Sequence, residues 1–347
     1  MVYALSCFNK ATVRMVVLGR SAAKANRVAL IGNARSTALG TRVACVPAAI
    51  PDFHERALSR VVRRWKPKVV LVAASLHSPW EGELAPNAWT DLVARGFGAS
   101  LPLQLSIVAA ASRVACDVGT PLINACYPDA VNVVLYGLKQ PATCGIGNAA
   151  IIESFCRGKT EPAADRLKVI AHHGHLGGWL AGRRERNQPR IWWRDKEQNA
   201  LRWRPDFVAG SAQKVGEELN QVTAATAVAV LVSLLSGETM RASIPGVGGL
   251  PGGYPFLLQQ GKFQMQLPRG VSLAEAIAHN QTGERLDGLQ LSSSVKFVGE
   301  VRHRLAEHHY SFADGFAFPD WEKARRDMLR LRDRLRRLRA SNSGRAS

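Results

Sequence analysis

Three histidines within four residues, His172, His173 and His175, mark the first stretch of this sequence where chemistry is expected. An imidazole titrates near neutrality, so a positioned histidine can act as general acid or base, and several together can hold a metal ion. On an extended segment adjacent side chains point to opposite faces. Only His173 and His175 are then able to share one metal, and no carboxylate lies close by in sequence. No metal is expected, which leaves an acid–base histidine or a purely structural cluster. A second pair, Glu153 and Arg157, stands four apart on a helical pattern, where the two side chains adjoin as a surface salt bridge or as part of a catalytic set.

Two basic segments raise the question of polyanions. Residues 182–204 interleave Arg183, Arg184, Arg186, Arg190, Arg194, Lys196, Arg202 and Arg204 with Trp192, Trp193 and Trp203. That is the composition of a single-strand nucleic-acid platform, but strand alternation alone generates it, and a hairpin with Trp on one face and Arg on the solvent side is the favoured reading. From Trp321 to Ala340 nine Lys or Arg stand against three acids, and Met328, Leu331, Leu335 and Leu338 recur at helical spacing. Docking on its own domain or pairing with another subunit is favoured over nucleic acid, because the stripe is continuous and most arginines face away from it.

These side chains need a scaffold, and the composition supplies one. The chain has 347 residues with 46% hydrophobic content, enough for two domains with buried cores, and a formal charge of +19. Six cysteines without any CxxC or CxxH pair read as free thiols in a reducing cytosol. The longest apolar run, Val222 to Leu235, falls short of a bilayer crossing and reads as a core helix. Residues 1–51 contain no acid, as in a transit peptide, yet their strand-like runs favour a folded cytoplasmic protein.

Between residues 14 and 150, short Val/Ile/Leu runs at 14–18, 43–47, 68–74 and 121–125 alternate with helical spacing at 52–64, 87–115 and 129–137. That alternation predicts βαβ units and a doubly wound parallel sheet. Beyond Ile170 the pattern predicts a hairpin from 188–194 and 200–204 around a turn at Asp195–Asn199, a long helix at 211–236, a Gly/Pro loop at 245–255 and a helix from Ser272 to Asn280. The expected organisation is a doubly wound domain over 1–158, a second domain over 159–318, and a basic amphipathic helix and tail over 319–347, disordered from Ala340 to Ser347.

In order and spacing these landmarks resemble the lactate/malate dehydrogenase superfamily over residues 1 to about 240. Four pieces bear the resemblance: residues 16–25 for the second strand and its turn, Val69 to Ser75 for the fourth strand, Ile123-Asn124 with Pro128-Asp129 for the family's NPxD, and Val169 to Gly174 for its GEHG. The implied fold is an α/β, doubly wound Rossmann-like parallel sheet followed by an α+β substrate domain. The sheet is expected to be N-terminally incomplete. Met1 falls inside the family's first helix, so the first strand and its G-x-G-x-x-G phosphate loop are not among the residues given; the start codon lies upstream or the dinucleotide grip is lost.

The resemblance implies the following roles. His173 matches the catalytic histidine, Asn124 the asparagine that orients substrate beside the nicotinamide, and Glu153 the acid that holds the histidine, after a shift in register. Gly19, Arg20, Ser21, Ala73, Ala74 and Asn124 are the cofactor-binding positions, and Arg157 and Thr223 the substrate-binding ones. Where the family places a ribose-binding acid this chain has Gly19, Arg20 and Ser21, a set suited to a 2′-phosphate, so NADP is expected over NAD. The loop Ser75–Pro86 lacks the arginine that polarises the substrate carbonyl in the family, which argues against lactate and malate. An NAD(P)-dependent oxidoreductase on a hydroxy or keto substrate is therefore expected, with a small-molecule substrate, no membrane span and a homo-oligomeric state. The helix at 52–64 is a candidate for the subunit interface. The alternative is a non-catalytic relative that binds a partner or nucleic acid.

Overall fold

The computed structural model describes residues 1–8, 11–160, 166–180, 187–194, 202–203 and 216–338. The expected turn at Asp195–Asn199, the side chains of Arg183, Arg184, Arg186, Lys196 and Arg204, the start of the expected helix at 211–215 and the tail at 340–347 lie outside the described residues.

The first half alternates as its apolar runs predict. Helix α1 (Val2–Leu5) is followed by β1 (Val13–Gly19), α2 (Ala22–Ala38), β2 (Val43–Ala49), α3 (Glu55–Trp65), β3 (Val70–Val72), α4 (Glu81–Leu84), α5 (Ala88–Ala94), α6 (Leu101–Asp117), β4 (Leu122–Asn124), α7 (Pro128–Gly137), β5 (Cys144–Gly145) and α8 (Asn148–Thr160). All pairings here are parallel: β1 with β2 in register Val13↔Val43, β3 with β4 at Val70↔Leu122, and β4 with β5 at Ile123↔Cys144. The sheet comes in two pieces, β1-β2 and β3-β4-β5, with no ladder between β1 and β3 among the described residues.

The second half is antiparallel. It contains β6 (Leu167–Ile170), α9 (His173–Leu180), β7 (Arg190–Trp193), β8 (Arg202–Trp203), α10 (Leu219–Ser236), β9 (Met240–Pro245), β10 (Gly253–Gln259), β11 (Lys262–Met265), α11 (Leu273–Leu286), β12 (Leu289–Leu291), β13 (Ser294–Phe297), α12 (Gly299–Glu307), β14 (Phe316–Ala317) and α13 (Trp321–Leu335). Three-stranded sheets form from β6-β7-β8, β11-β10-β9 and β12-β13-β14. The expected hairpin is the β7-β8 pair, with Trp192 opposite Trp203, and β6 adds a third strand to it. A parallel Rossmann-like sheet followed by antiparallel sheets is the fold class the sequence predicts.

Several elements depart from their predicted bounds for local reasons. The helical spacing at 87–115 is not one helix: α5 is closed off at Gly96, Phe97–Ser100 makes a 3-10 turn, and α6 starts afresh. Gly98 permits this break, because a Cβ there would strike the Leu289 side chain and the Asp287 carbonyl oxygen. Helix α11 runs on to Leu286, started by a reciprocal capping box between Ser272 and Glu275. Helix α10 starts at Leu219, later than the bound of 211 expected for it, and ends at Ser236 as expected, with 216–218 outside the helix. It and Phe97–Asp117 are each long and apolar enough, by length and composition only, to cross a membrane, and the latter is mostly buried in the fold.

The division expected after residue 158 falls inside α8. One hydrophobic core joins α6 and α7 to residues 289–335, so the C-terminal elements close over the first half of the chain. The apolar stripe of α13 is used within its own chain: Met328, Leu331 and Leu335 are buried, and only Leu338 is half exposed. Arg332 donates to the Leu76 carbonyl at 2.6 Å and Arg336 makes a forked pair with Glu81, fastening α13 to the loop after β3. Helix α3 turns Ala57 and Leu58 inward, and its packing partner is α6 of the same chain.

Candidate active site

Strand β6 delivers the histidine cluster, and two backbone hydrogen bonds between Ala171 and Gly253 fix the end of that strand. The cluster is not extended: α9 begins at His173, so the three imidazoles lie around a helix start rather than on alternate faces of a strand. The helix can approach α11 closely because Gly174 and Gly283 face each other. A Cβ on Gly174 would overlap the Gly283 carbonyl oxygen, and one on Gly283 would meet the β-carbon of His172 and the ring of His175.

That close approach sets His173 against Asp287, the residue following α11. Nδ1 of His173 lies 3.0 and 2.9 Å from the two carboxylate oxygens. The Tyr127 hydroxyl donates to the same carboxylate at 2.8 Å, and the backbone N–H of Gly98 donates to the Asp287 carbonyl at 2.9 Å. Tyr127 holds a left-handed backbone (φ 49°) at the start of α7, an uncommon conformation for a bulky residue that its contacts must offset. Asp129, two residues on, accepts from the His173 backbone N–H at 3.1 Å and from the Asn148 side chain. Phe97 stacks on the His173 ring at 4.6 Å between centroids, and Tyr127 meets it edge-on at 5.2 Å.

The electrostatics separate His173 from its neighbours. Burial disfavours its imidazolium, but the Asp287 carboxylate outweighs this, and the net shift is upward. Burial likewise opposes the Asp287 charge, yet the His173 imidazolium and the hydrogen bond from it keep that carboxyl below its usual range. His172 accepts from the Gly174 N–H through Nδ1 and is shifted downward by burial, so it is neutral. His175 accepts from the His172 N–H through Nδ1, leaving Nε2–H to donate to Thr282, and its pKa is well below normal, first through burial and then through His279 stacked on it at 4.6 Å. Burial, and next the Asp287 charge, push the Tyr127 phenol up, so it keeps its proton and remains a donor. His173 alone of these imidazoles favours the charged form, and its side chain is 29% exposed. With Nδ1–H given to Asp287, Nε2 has no protein partner among the described residues and is the atom that can exchange a proton.

The other expected site residues fall into three places. Gly19, Arg20, Ser21, Ala73, Ala74 and Asn124 all stand at the carboxyl ends of parallel strands, β1, β3 and β4. Ser21 is the N-cap of α2, its hydroxyl accepting from the Lys24 N–H at 3.3 Å. Asn124 is fully buried and its amide is committed to the turn after β4, accepting from the Cys126 N–H at 2.7 Å and donating to Cys126 and Asn132. Glu153 is not the partner of His173. It is buried against Arg157 and the backbone N–H of Ser243, and burial raises its pKa although Arg157 opposes that. With Arg157 it lines a cavity of about 280 Å3 beside α10, and Thr223 lies on that helix, its hydroxyl bonded back to the Leu219 carbonyl. His173 does not line this cavity.

Asp287, Tyr127 and Phe97, which complete the surroundings of His173, carry no motif signal. The clearest trace of them is the Gly96-Phe97-Gly98 triplet, two glycines inside a stretch whose helical spacing continues through them. No group of three or more metal-ligating side chains is found among the described residues.

No protein-family model and no curated protein matches the chain. Among solved structures it is remotely similar in fold to the lactate dehydrogenase from Cryptosporidium parvum complexed with lactic acid and β-nicotinamide adenine dinucleotide. The identity is 12%, over 82% of this chain and 92% of that one, with a TM-score of 0.46. It is similar also to malate dehydrogenase from Plasmodium falciparum, at 11% identity over 80% of this chain and all of that one, with a TM-score of 0.41.

Proposed function

We propose that the chain is an NAD(P)-linked oxidoreductase that interconverts a hydroxyl and a carbonyl group, with His173 as its acid–base residue. The supporting observation is the His173–Asp287 pair: a buried carboxylate holds Nδ1–H and raises the imidazole pKa, while Nε2 is left for a substrate oxygen. The pair lies next to the turn after β4, on the carboxyl side of a parallel sheet, where α/β folds bind ligands.

The residues fit the adenosine end of a dinucleotide. Arg20, at the carboxyl end of β1, has no ion-pair partner among the described residues and lines a cavity of about 460 Å3. A bound nicotinamide would supply or accept the hydride. The protein's own part is proton movement and orientation: protonated His173 donates from Nε2 to a carbonyl oxygen in reduction, and neutral His173 accepts that proton in oxidation. Asp287 stabilises the imidazolium, Tyr127 fixes the carboxylate, and Phe97 holds the ring plane by stacking.

The substrate proposed is not lactate or malate. The loop Ser75–Pro86 has no arginine, and Arg157 is engaged by Glu153 away from His173, so neither of these two positions supplies a guanidinium clamp for a small 2-keto acid. A homo-oligomer in the cytoplasm remains part of this proposal. The non-catalytic alternative gains nothing from α13, whose apolar stripe is buried in its own chain. The test is transfer of deuterium from 4-deuterated NADPH to the carbonyl carbon across a panel of ketones and larger keto acids. Label in a product alcohol supports the reading, and its absence from every product rejects it.

A further inference from the structure

The cavity that Arg20 lines is shared by five parts of the chain. The turn after β1 and the segment after β2 form one side, Leu76 of the loop after β3 another, and α6 and α13 close it. Three arginines reach it from separate elements: Arg20, Arg113 in α6 and Arg325 in α13. Phe53 and Trp321 give it aromatic walls.

Asp52, Glu55 and Glu322 also line it, so the formal charges balance; the pairing does not. Arg113 is bound to Glu55 at 2.7 Å, and Asp52 sits 3.2 Å from His54. Arg20 and Arg325 have no hydrogen bond or ion pair among the described residues. The Nε–H of Arg325 is buried without an acceptor while its guanidinium lies 6.0 Å from the centre of the Trp321 ring. A buried guanidinium donor left unmet is costly, so such a group in a cavity wall points to a ligand that meets it.

We propose that this cavity binds a phosphorylated nucleoside, with Arg20 and Arg325 converging on a phosphate monoester and Trp321 and Phe53 flanking the base. Arg20 and Arg325 present two guanidinium forks suited to the geometry of a monoester whose charge is close to −2 at neutral pH, while of the acids in the lining Glu55 is taken by Arg113, Asp52 sits beside His54 and Glu322 is exposed to solvent. The proposal rests on the oxidoreductase reading for the ligand's identity, the 2′-phosphoadenosine end of NADP. It adds that the C-terminal helix is the second half of the phosphate clamp, so cofactor choice is set by α13 as well as by the turn after β1. His173 does not itself line this cavity; the residue after Leu76 is His77, whose ring stands 6.1 Å from that of Phe97, the ring stacked on His173.

Titration calorimetry on the whole chain, with adenosine 2′,5′-bisphosphate, AMP and inorganic phosphate as separate probes, tests this. The bisphosphate is expected to bind at least tenfold more tightly than AMP or phosphate. Arg325→Met and Arg20→Met, each with its melting temperature checked, should bring bisphosphate affinity down to that of AMP and leave AMP binding as it was. Equal affinity for bisphosphate and AMP, equal affinity for free phosphate, no binding at all, or a preference that survives Arg325→Met in a folded variant would overturn the proposal. Binding is read without turnover, so the two readings can fail separately. Discrimination by Arg325 beside a fully active His173→Gln variant would sink only the oxidoreductase mechanism, and the reverse result would sink only the clamp.

Discussion

Nδ1 of His173 and the carboxylate of Asp287 are joined at 3.0 and 2.9 Å across 114 residues of sequence. The pair has a definite pH signature. A raised His173 pKa means that the stabilisation it contributes is complete below the ordinary histidine value and is lost as pH rises through the raised one. A lowered Asp287 pKa means that its contribution is present above the ordinary aspartate value and is lost as pH falls through the lowered one.

Replacing Asp287 with Asn removes the carboxylate and leaves burial as the dominant influence on His173. The imidazole pKa should then drop below the ordinary histidine value, as read by NMR titration of its ring protons. The pH at which reduction fails should move down with it, and turnover should fall by about a hundredfold or more. An unmoved imidazole pKa would show that Asp287 does not tune His173.

The meeting of Gly174 with Gly283 should tolerate no side chain. Gly174→Ala forces a Cβ into the Gly283 carbonyl, and overpacking of this kind costs about 1–3 kcal/mol. Urea unfolding should show that loss, together with a His173 pKa moving back toward normal as α9 and α11 separate. Wild-type stability would contradict the close approach.

How much of this arrangement the sequence discloses depends on the range of the interactions. His173 is legible because its neighbours announce it, and the parallel strands are legible because short apolar runs such as Val69 to Ala74 alternate with stretches of helical spacing. Asp287 is not legible: it follows an ordinary helix, and no spacing rule links it to position 173. Glu153 is the acid that the resemblance offers to the histidine, and its local i,i+4 pattern with Arg157 is what the structure keeps, while Asp287 reaches His173 through the Gly174–Gly283 contact, a tertiary event. The break at Gly96-Phe97-Gly98 was hidden for a similar reason. The helical spacing continues through it, and only packing against Asp287 and Leu289 makes the interruption favourable.

Glu284, one turn before Asp287, is buried with Oε1 accepting from the Leu291 N–H at 2.5 Å and Oε2 without a partner. Burial raises its pKa to about 7. The folded chain therefore holds a proton that the unfolded chain releases between the ordinary glutamate value and about 7, and stability falls as pH rises through that range. Glu284→Gln should raise the melting temperature by a few degrees at pH above 7 and make little difference near the ordinary glutamate pKa. Equal effects at both pH values would place Glu284 outside this account.

Helix α13 should be integral to the fold. Met328 is fully buried in the core shared with α6, and Met328→Ala should cost about 2–5 kcal/mol in urea unfolding. A change within about 0.5 kcal/mol, the range of a surface substitution, would mean that the helix is detached.

The most direct measurement compares NADPH-dependent reduction by His172→Gln, His173→Gln and His175→Gln, using the carbonyl substrate found by deuterium transfer. Loss of about a hundredfold to ten-thousandfold at His173 is expected, with the fold retained and cofactor affinity unchanged. His172 and His175, neutral and structural, should lose far less turnover and more stability. Full activity in His173→Gln, or equal losses at all three positions, would contradict the assignment of His173 as the acid–base residue.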